Sequence, residues 1–176
     1  RQVREANRDW LSPWEATSPG GGSALPPSFS AYVRGYLRLA RRGLALPWVI
    51  EYQDHLVGQL TVAGIFHGSA LNGTIGYWVA QEVAGQGIAP TAVALAFDHA
   101  TTAAGLHRLE IAICPENRPS LRVVEKLGFR DEGVRKRFLH VAGRWRDHRI
   151  FALTREEVPE GLLVRWRRQQ DPTMPQ

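Results

Sequence analysis

The stretch Gly76-Tyr-Trp-Val-Ala-Gln-Glu-Val-Ala-Gly-Gln-Gly-Ile-Ala-Pro-Thr91 constrains the chain most, because three local patterns succeed one another within it. Thr74 to Ala80 is β-branched and aromatic, as a half-buried strand should be. Gly85 and Gly87 break that pattern. From Pro90 the run Pro-Thr-Ala-Val-Ala-Leu-Ala-Phe-Asp-His-Ala reads as a helix, with Val93, Phe97, Ala100 and Ala104 on one face. Pro90 suits a first helical turn, where its missing N–H and fixed φ do little harm. A glycine loop opening into a helix gathers unpaired N–H groups at the positive end of the helix dipole. That is an anion site, and phosphate is the usual anion.

Two common phosphate loops do not fit. A P-loop ends in Gly-Lys-Ser/Thr, whereas Ile88-Ala89 follows Gly87 here. A dinucleotide fingerprint starting at Gly85 and Gly87 needs a third small residue where Pro90 stands, although Glu110 lies near the spacing of its acidic residue. Taken alone, Gly-x-Gly is equally compatible with a plain turn that binds nothing.

With 176 residues, the chain has the length of one domain with a sizeable core. Its 44% hydrophobic and 22% charged residues describe an ordinary globular protein. No apolar run approaches the roughly 18 residues that span a bilayer. No charged-then-apolar leader marks it for secretion, so a cytoplasmic location without membrane attachment is expected. The single cysteine, Cys114, sits among apolar residues and reads as a small buried thiol. No His/Cys/Asp cluster has metal-ligand spacing, so no metal is expected; His67 and His99 read as structural. The net charge of +5 is concentrated in Arg130 to Arg149 and Arg165-Trp-Arg-Arg168. It implies an anionic partner or ligand, but no motif for sequence-specific nucleic-acid binding accompanies it.

The chain opens on a helical segment, Arg1 to Leu11, ended by Ser12-Pro13, as though a first strand were missing ahead of it. Trp14 to Pro27 is a loop by composition, mobile near Gly20 to Gly22. Ser28 to Arg42 is an amphipathic helix with Tyr32, Tyr36, Leu39 and Ala40 near one side, capped by Gly43. Pro47 to Gln53 and Leu56 to Phe66 form a hairpin around Gln53-Asp54-His55. Asn72-Gly73 is the strongest hairpin signal and leads into the strand before the loop. Gly105 caps the central helix. A strand at Arg108 to Cys114, a helix at Ser120 to Gly128 and strands at Phe129 to Arg135, Lys136 to Val141 and Arg146 to Leu153 follow, with a turn at Ala142-Gly143. Arg155 onward, about 155–176, reads as a polar tail or short helix. The order predicts an α+β fold with a mixed sheet.

Strand, Ala84-Gly-Gln-Gly-Ile-Ala89, long helix, strand, Asn117-x-x-Ser120, short helix and Leu127-Gly-Phe129 form a constellation in fixed order. It resembles the GNAT acyl-CoA N-acetyltransferases. Trp10-Leu-x-Pro-Trp-Glu15, Gly76-Tyr-Trp-Val79, Pro115-Glu-Asn-x-x-Ser120 and Gly143-Arg-Trp-Arg-Asp-His148 resemble the RimJ/RimL-type branch, which acetylates ribosomal-protein N-termini. The resemblance covers nearly all of the chain and implies a single GNAT domain over 1–176, with a mixed sheet of about six to seven strands flanked by helices.

The resemblance also implies acetyl-CoA as cofactor and assigns roles. The backbone of Tyr77, Trp78 and Val79 would pair with the pantetheine arm. The loop Gly85, Gln86, Gly87, Ile88, Ala89, Pro90 and Thr91 would hold the pyrophosphate. Asn117 would bind the pantetheine arm as well as cap its helix. Ser120 would protonate the departing thiolate, since the tyrosine that other members use falls at Val124. The Val79 N–H is the candidate oxyanion donor. Glu51, Glu15 and Glu110 are candidate bases. Trp14, Glu15, Trp145 and Asp147 are expected around the acceptor. Ala84, where the family usually has Arg or Gln, and Pro90, which lacks an N–H, imply weaker cofactor affinity unless Gln86, Thr91 or Arg122 compensates.

The acceptor implied is a protein N-terminal amine, with ribosome association through the basic surface, by a monomer or homodimer. A small amine such as an antibiotic or polyamine, or a non-catalytic acyl-CoA-binding module, are the alternatives.

Overall fold

The computed structural model describes residues 1–19, 28–171 and 173. The loop around Gly20 to Gly22 therefore lies outside the described residues. The N-terminal helical segment is two short helices, α1 (Gln2–Ala6) and α2 (Arg8–Leu11), broken at Asn7. Helix α3 (Phe29–Arg41) starts where the Ser28 side chain accepts from the Ala31 N–H at 3.1 Å. Strands β1 (Ala45–Tyr52) and β2 (His55–Phe66) pair antiparallel around Gln53 and Asp54, both at positive φ as a tight hairpin turn requires.

Strand β3 (Asn72–Val79) corrects one expectation. Asn72 and Gly73 are not a turn but the first two residues of the strand, paired with Arg108 and Leu109. Gly73 is there because of a close approach: a Cβ would lie 2.7 Å from Val62 Cγ1. Helix α4 (Ile88–Thr102) begins two residues before Pro90, which lies inside its first turn. Val93, Phe97 and Ala100 are buried as expected, but Ala104 lies past the helix end and is exposed.

Strand β4 (Arg108–Ile113) is followed by α5 (Arg118–Leu127), which Gly128 closes at a φ of +72°. Strands β5 (Arg130–Val141) and β6 (Arg144–Thr154) form a hairpin around Ala142-Gly143. Of the two expectations for the C-terminal segment, the helix is what forms: α6 (Leu162–Gln170) buries Leu162 and Trp166. Asp98 of α4 accepts from the Leu162 and Leu163 N–H groups at 2.6 and 3.0 Å, capping α6 with a carboxylate.

The six strands run in the order β1-β2-β3-β4-β6-β5, antiparallel except for β3 beside β4. On β2, Leu60 and Val62 join Phe97 of α4 in the core, while Gln59, on the alternate face, donates to Tyr32 of α3 at 3.2 Å. Helices therefore cover both faces of the sheet, α4 on one and α3 on the other. Several charges of β5 are paired across and along the sheet edge. Glu132 sits between Arg108 and Arg130, and Asp131 meets Arg149 at 2.6 Å. Among the described residues, no helix is long and apolar enough to cross a membrane.

Candidate active site

β3 and β4 pair only through Asn72, Gly73 and Thr74. Beyond Thr74 they diverge, and a cleft of about 630 Å³ runs from the end of β3 past the start of α5 to the glycine loop. The Ala80 N–H donates to the Val57 carbonyl at 2.7 Å. Backbone groups alternate along an antiparallel strand, so the N–H groups of Tyr77 and Val79 face away from β2, toward the divergence. The Val79 carbonyl receives the Trp10 indole N–H at 3.1 Å, which ties α2 to the end of β3.

The loop departs from ordinary backbone at Gly85 and Gly87, with φ of +83° and +82°. Its N–H groups from Gly85 to Ala89 have no hydrogen-bond partner among the described residues. Pro90 has no N–H to offer, and the Thr91 N–H and hydroxyl both go to the Gly87 carbonyl, at 3.1 and 2.8 Å. The usable row is therefore Gly85, Gln86, Gly87, Ile88 and Ala89, shorter at its end than the expected span to Thr91. An unpaired row of N–H groups at a helix start fits an anionic phosphate group.

The side chains expected to compensate for Ala84 are differently disposed. The Gln86 amide turns back to the Glu82 carbonyl at 3.1 Å. The Thr91 hydroxyl receives the Trp166 indole N–H at 2.9 Å. Arg122 does line the cleft, and Lys126 joins it one turn later on α5. Lys126 was not foreseen. Its signal is the i, i+4 spacing from Arg122 on an amphipathic helix whose other face is buried.

Asn117 Oδ1 accepts from the Ser120 N–H at 3.2 Å, so it is the N-cap of α5, and it also lines the cleft. The cap sets Ser120 in the first turn, where it lines the same cleft as Tyr77, Trp78 and Val79 of β3. Tyr77 packs against the core, and its hydroxyl is buried without a hydrogen-bond partner. Burial pushes its pKa up to about 12, with Ser120 acting in the opposite direction.

Trp14 and Glu15 line the cleft mouth, where Arg4 meets Glu15 at 3.1 Å and lies over the Trp78 ring at 6.0 Å. Arg4, Glu15 and Trp78 also line a second cleft of about 480 Å³, which continues past Arg1, Arg8, Phe29 and Tyr32. The two clefts thus share a wall. Ala16 bridges to Val141, so this segment does reach the β5–β6 hairpin.

Trp145 and Asp147 line neither of these clefts. Trp145 is 53% exposed and packs edge-on against His140, its cross-strand partner. Asp147 accepts from the Arg137 N–H at 2.8 Å and pairs with Lys136 at 3.1 Å, holding the bulge in β5. Glu110 pairs with Arg108 and Arg135 at 2.9 and 3.2 Å, and Glu51 is exposed on β1. Of the three candidate bases, Glu15 alone lines the cleft. Cys114 is buried, with its sulfur 3.3 Å from His148 Nε2. The described residues contain no cluster of potential metal ligands.

Comparison with known proteins gives a consistent picture. The family model described as "Acetyltransferase (GNAT) domain" matches residues 4–130. The chain is 36% identical over 100 residues to a probable N-acetyltransferase, YjcK, of Bacillus subtilis (strain 168), a match covering 57% of this chain and 55% of that one. It is 27% identical over 157 residues to the [ribosomal protein uS5]-alanine N-acetyltransferase of Escherichia coli (strain K12), covering 88% and 80%. Its structure superposes on Mycobacterium smegmatis RimJ, solved in complex with CoA-disulfide, with a TM-score of 0.89 and 39% identity, covering 96% of this chain and 82% of that one.

Proposed function

Because this chain belongs to the GNAT acetyltransferase family and is an acetyl-CoA-dependent N-acetyltransferase, we propose that its acceptor is the N-terminal α-amine of a protein, a ribosomal protein beginning with alanine or serine. The observation that carries this is the position of Glu15, a carboxylate at the wall where the cofactor-sized cleft meets a second, elongated one. Kinship to a ribosomal-protein alanine N-acetyltransferase supports the same acceptor. The basic surface suits work beside ribosomal RNA in the cytoplasm.

In this reading the unpaired N–H row from Gly85 to Ala89 takes the pyrophosphate of acetyl-CoA, with Arg122 and Lys126 adding charge. The backbone of Tyr77 to Val79 and the Asn117 side chain hold the pantetheine arm in the divergence of β3 and β4. Glu15 docks the acceptor ammonium and takes its proton. The neutral amine attacks the thioester carbon, the Val79 N–H donates to the developing oxyanion, and Ser120 protonates the departing thiolate.

A polyamine acceptor is disfavoured because the second cleft carries Arg8 in excess of the Arg1–Glu5 and Arg4–Glu15 pairs and so offers no net negative charge. The test is thiol release from acetyl-CoA with peptides beginning in alanine or serine, set against a panel of small amines. Preference for the peptides, with acetylation mapped to the α-amine by mass spectrometry, supports the reading. Preference for a small amine overturns the acceptor, as does tight CoA binding with no release for any of these peptides.

A further inference from the structure

Two hydroxyl side chains, Tyr77 and Ser120, line the same cleft. Tyr77 belongs to the row of β3 that faces the core, with Ile75 and Val79. Its ring lies partly open to the cleft, but its oxygen is buried and unpaired. A buried unpaired hydroxyl costs about 1–3 kcal/mol, which phenylalanine would avoid with the same ring. Ser120 lines the same cleft, its backbone fixed by the Asn117 cap. The Tyr77 oxygen has no hydrogen-bond partner, and Ser120 is the side chain that lowers its pKa against the effect of burial.

We propose that Tyr77 is a positioning residue for acetyl transfer: its O–H donates to Ser120 Oγ while Ser120 hands its own proton to the departing thiolate. The inference rests on Ser120 as proton donor. As the amine nitrogen bonds to the carbonyl carbon, the C–S bond breaks and its electron pair stays on sulfur, which takes the Ser120 proton. The amine proton passes to Glu15 and then to solvent, and Ser120 recovers a proton from solvent. Tyr77 keeps its own proton throughout, because burial pushes its pKa up to about 12. A serine that accepts a hydrogen bond carries its transient negative charge at lower cost and gives up its proton more readily. The unpaired tyrosine is then a donor prepared for that moment.

The test compares Tyr77→Phe, Ser120→Ala and the double variant, using acetyl-CoA and an alanine-initiated peptide. Tyr77→Phe is expected to lower kcat about tenfold, leave the KM for acetyl-CoA within about twofold, and melt no lower than the parent. The double variant should be no slower than Ser120→Ala, since the tyrosine acts only through the serine. An acyl donor with a more acidic thiol should shrink the Tyr77→Phe defect, because its thiolate needs less help from a proton. An unchanged kcat in Tyr77→Phe overturns the proposal, as does an equal defect in the presence and absence of the Ser120 hydroxyl. If Ser120→Ala itself turns over at the parental rate, the role of Ser120 fails and the relay with it. That outcome is distinct from a slow Ser120→Ala beside a normal Tyr77→Phe, which removes the tyrosine alone.

Discussion

The indole N–H of Trp166 donates to the hydroxyl of Thr91 at 2.9 Å, so a residue of the last helix holds the first turn of the helix that carries the glycine loop. Trp166 is 4% exposed, and a Cβ built on Gly87 would lie 3.7 Å from its ring. Trp166→Phe keeps most of the packing and removes the donor. We expect a loss of about 1 kcal/mol in urea unfolding and weaker acetyl-CoA binding by calorimetry. Trp166→Ala should cost about 3–5 kcal/mol. Parental affinity in the phenylalanine variant would show that the loop does not depend on this brace.

Gly87→Val places a β-branched residue at a φ of +82°, where L side chains are strained. The protein itself leaves room for a Cβ, since the Trp166 contact is an ordinary one. Two effects are therefore separable. Backbone strain should cost about 1–2 kcal/mol of stability, while the side chain obstructs phosphate approach to the N–H row. Calorimetry at a temperature where the variant remains folded should find no acetyl-CoA binding. Normal binding there would contradict the loop assignment.

Arg122 and Lys126 line the cleft with Ala84, and in the proposed reading they supply the charge that a side-chain donor there would give. Each alanine substitution should weaken acetyl-CoA binding several-fold, and the double substitution should flatten its salt dependence, because two charges facing phosphate are removed. A salt dependence equal to that of the parent would place the phosphates elsewhere.

Much of this was legible because it is local. The helix ends at Gly43 and Asn117 and the turns at Gln53-Asp54 and Ala142-Gly143 follow from residues within a few positions of one another. Asn72-Gly73 misled because a glycine demanded by Val62 across the sheet looks, in sequence, like one demanded by a turn. Arg4, Trp10 and Trp166 reach the site through tertiary packing. The Trp10 bond spans 69 positions and the Trp166 bond 75, and no periodicity encodes such pairings. Trp145 and Asp147 carried the right chemistry, but the register of β5 on β6 commits them to His140, Lys136 and Arg137.

Stability should depend on acid through Glu132. Hydrogen bonding to Arg108 first, and to Arg130, pulls its pKa from 4.5 to about 2. A depressed folded-state pKa stabilises fully above the unfolded value and is lost as pH falls through the folded one. The melting temperature should accordingly fall between pH 4.5 and about 2. Asp131 and Glu157, held down by Arg149 and by Thr154 and Arg130, add to the fall. Glu132→Gln should melt lower at neutral pH and show a shallower decline through that window. An acid limb identical to that of the parent would remove this cluster as its source.

The ion pair of Arg4 and Glu15 has a different consequence, because it stands on the wall between the two clefts. Each side chain is about one-third exposed, so the pair contributes at most about 1 kcal/mol and is easily exchanged. An incoming α-ammonium can therefore replace Arg4 on Glu15 at little cost, leaving the guanidinium over the Trp78 ring. Glu15→Gln should raise the KM for an alanine-initiated peptide about tenfold and lower kcat, with the KM for acetyl-CoA unchanged. Arg4→Ala removes the competitor and should lower the peptide KM, by no more than about fivefold. A raised peptide KM in Arg4→Ala would mean that the guanidinium contacts the acceptor rather than guarding its carboxylate. Peptide kinetics that Glu15→Gln leaves unaltered would move the acceptor site away from this wall.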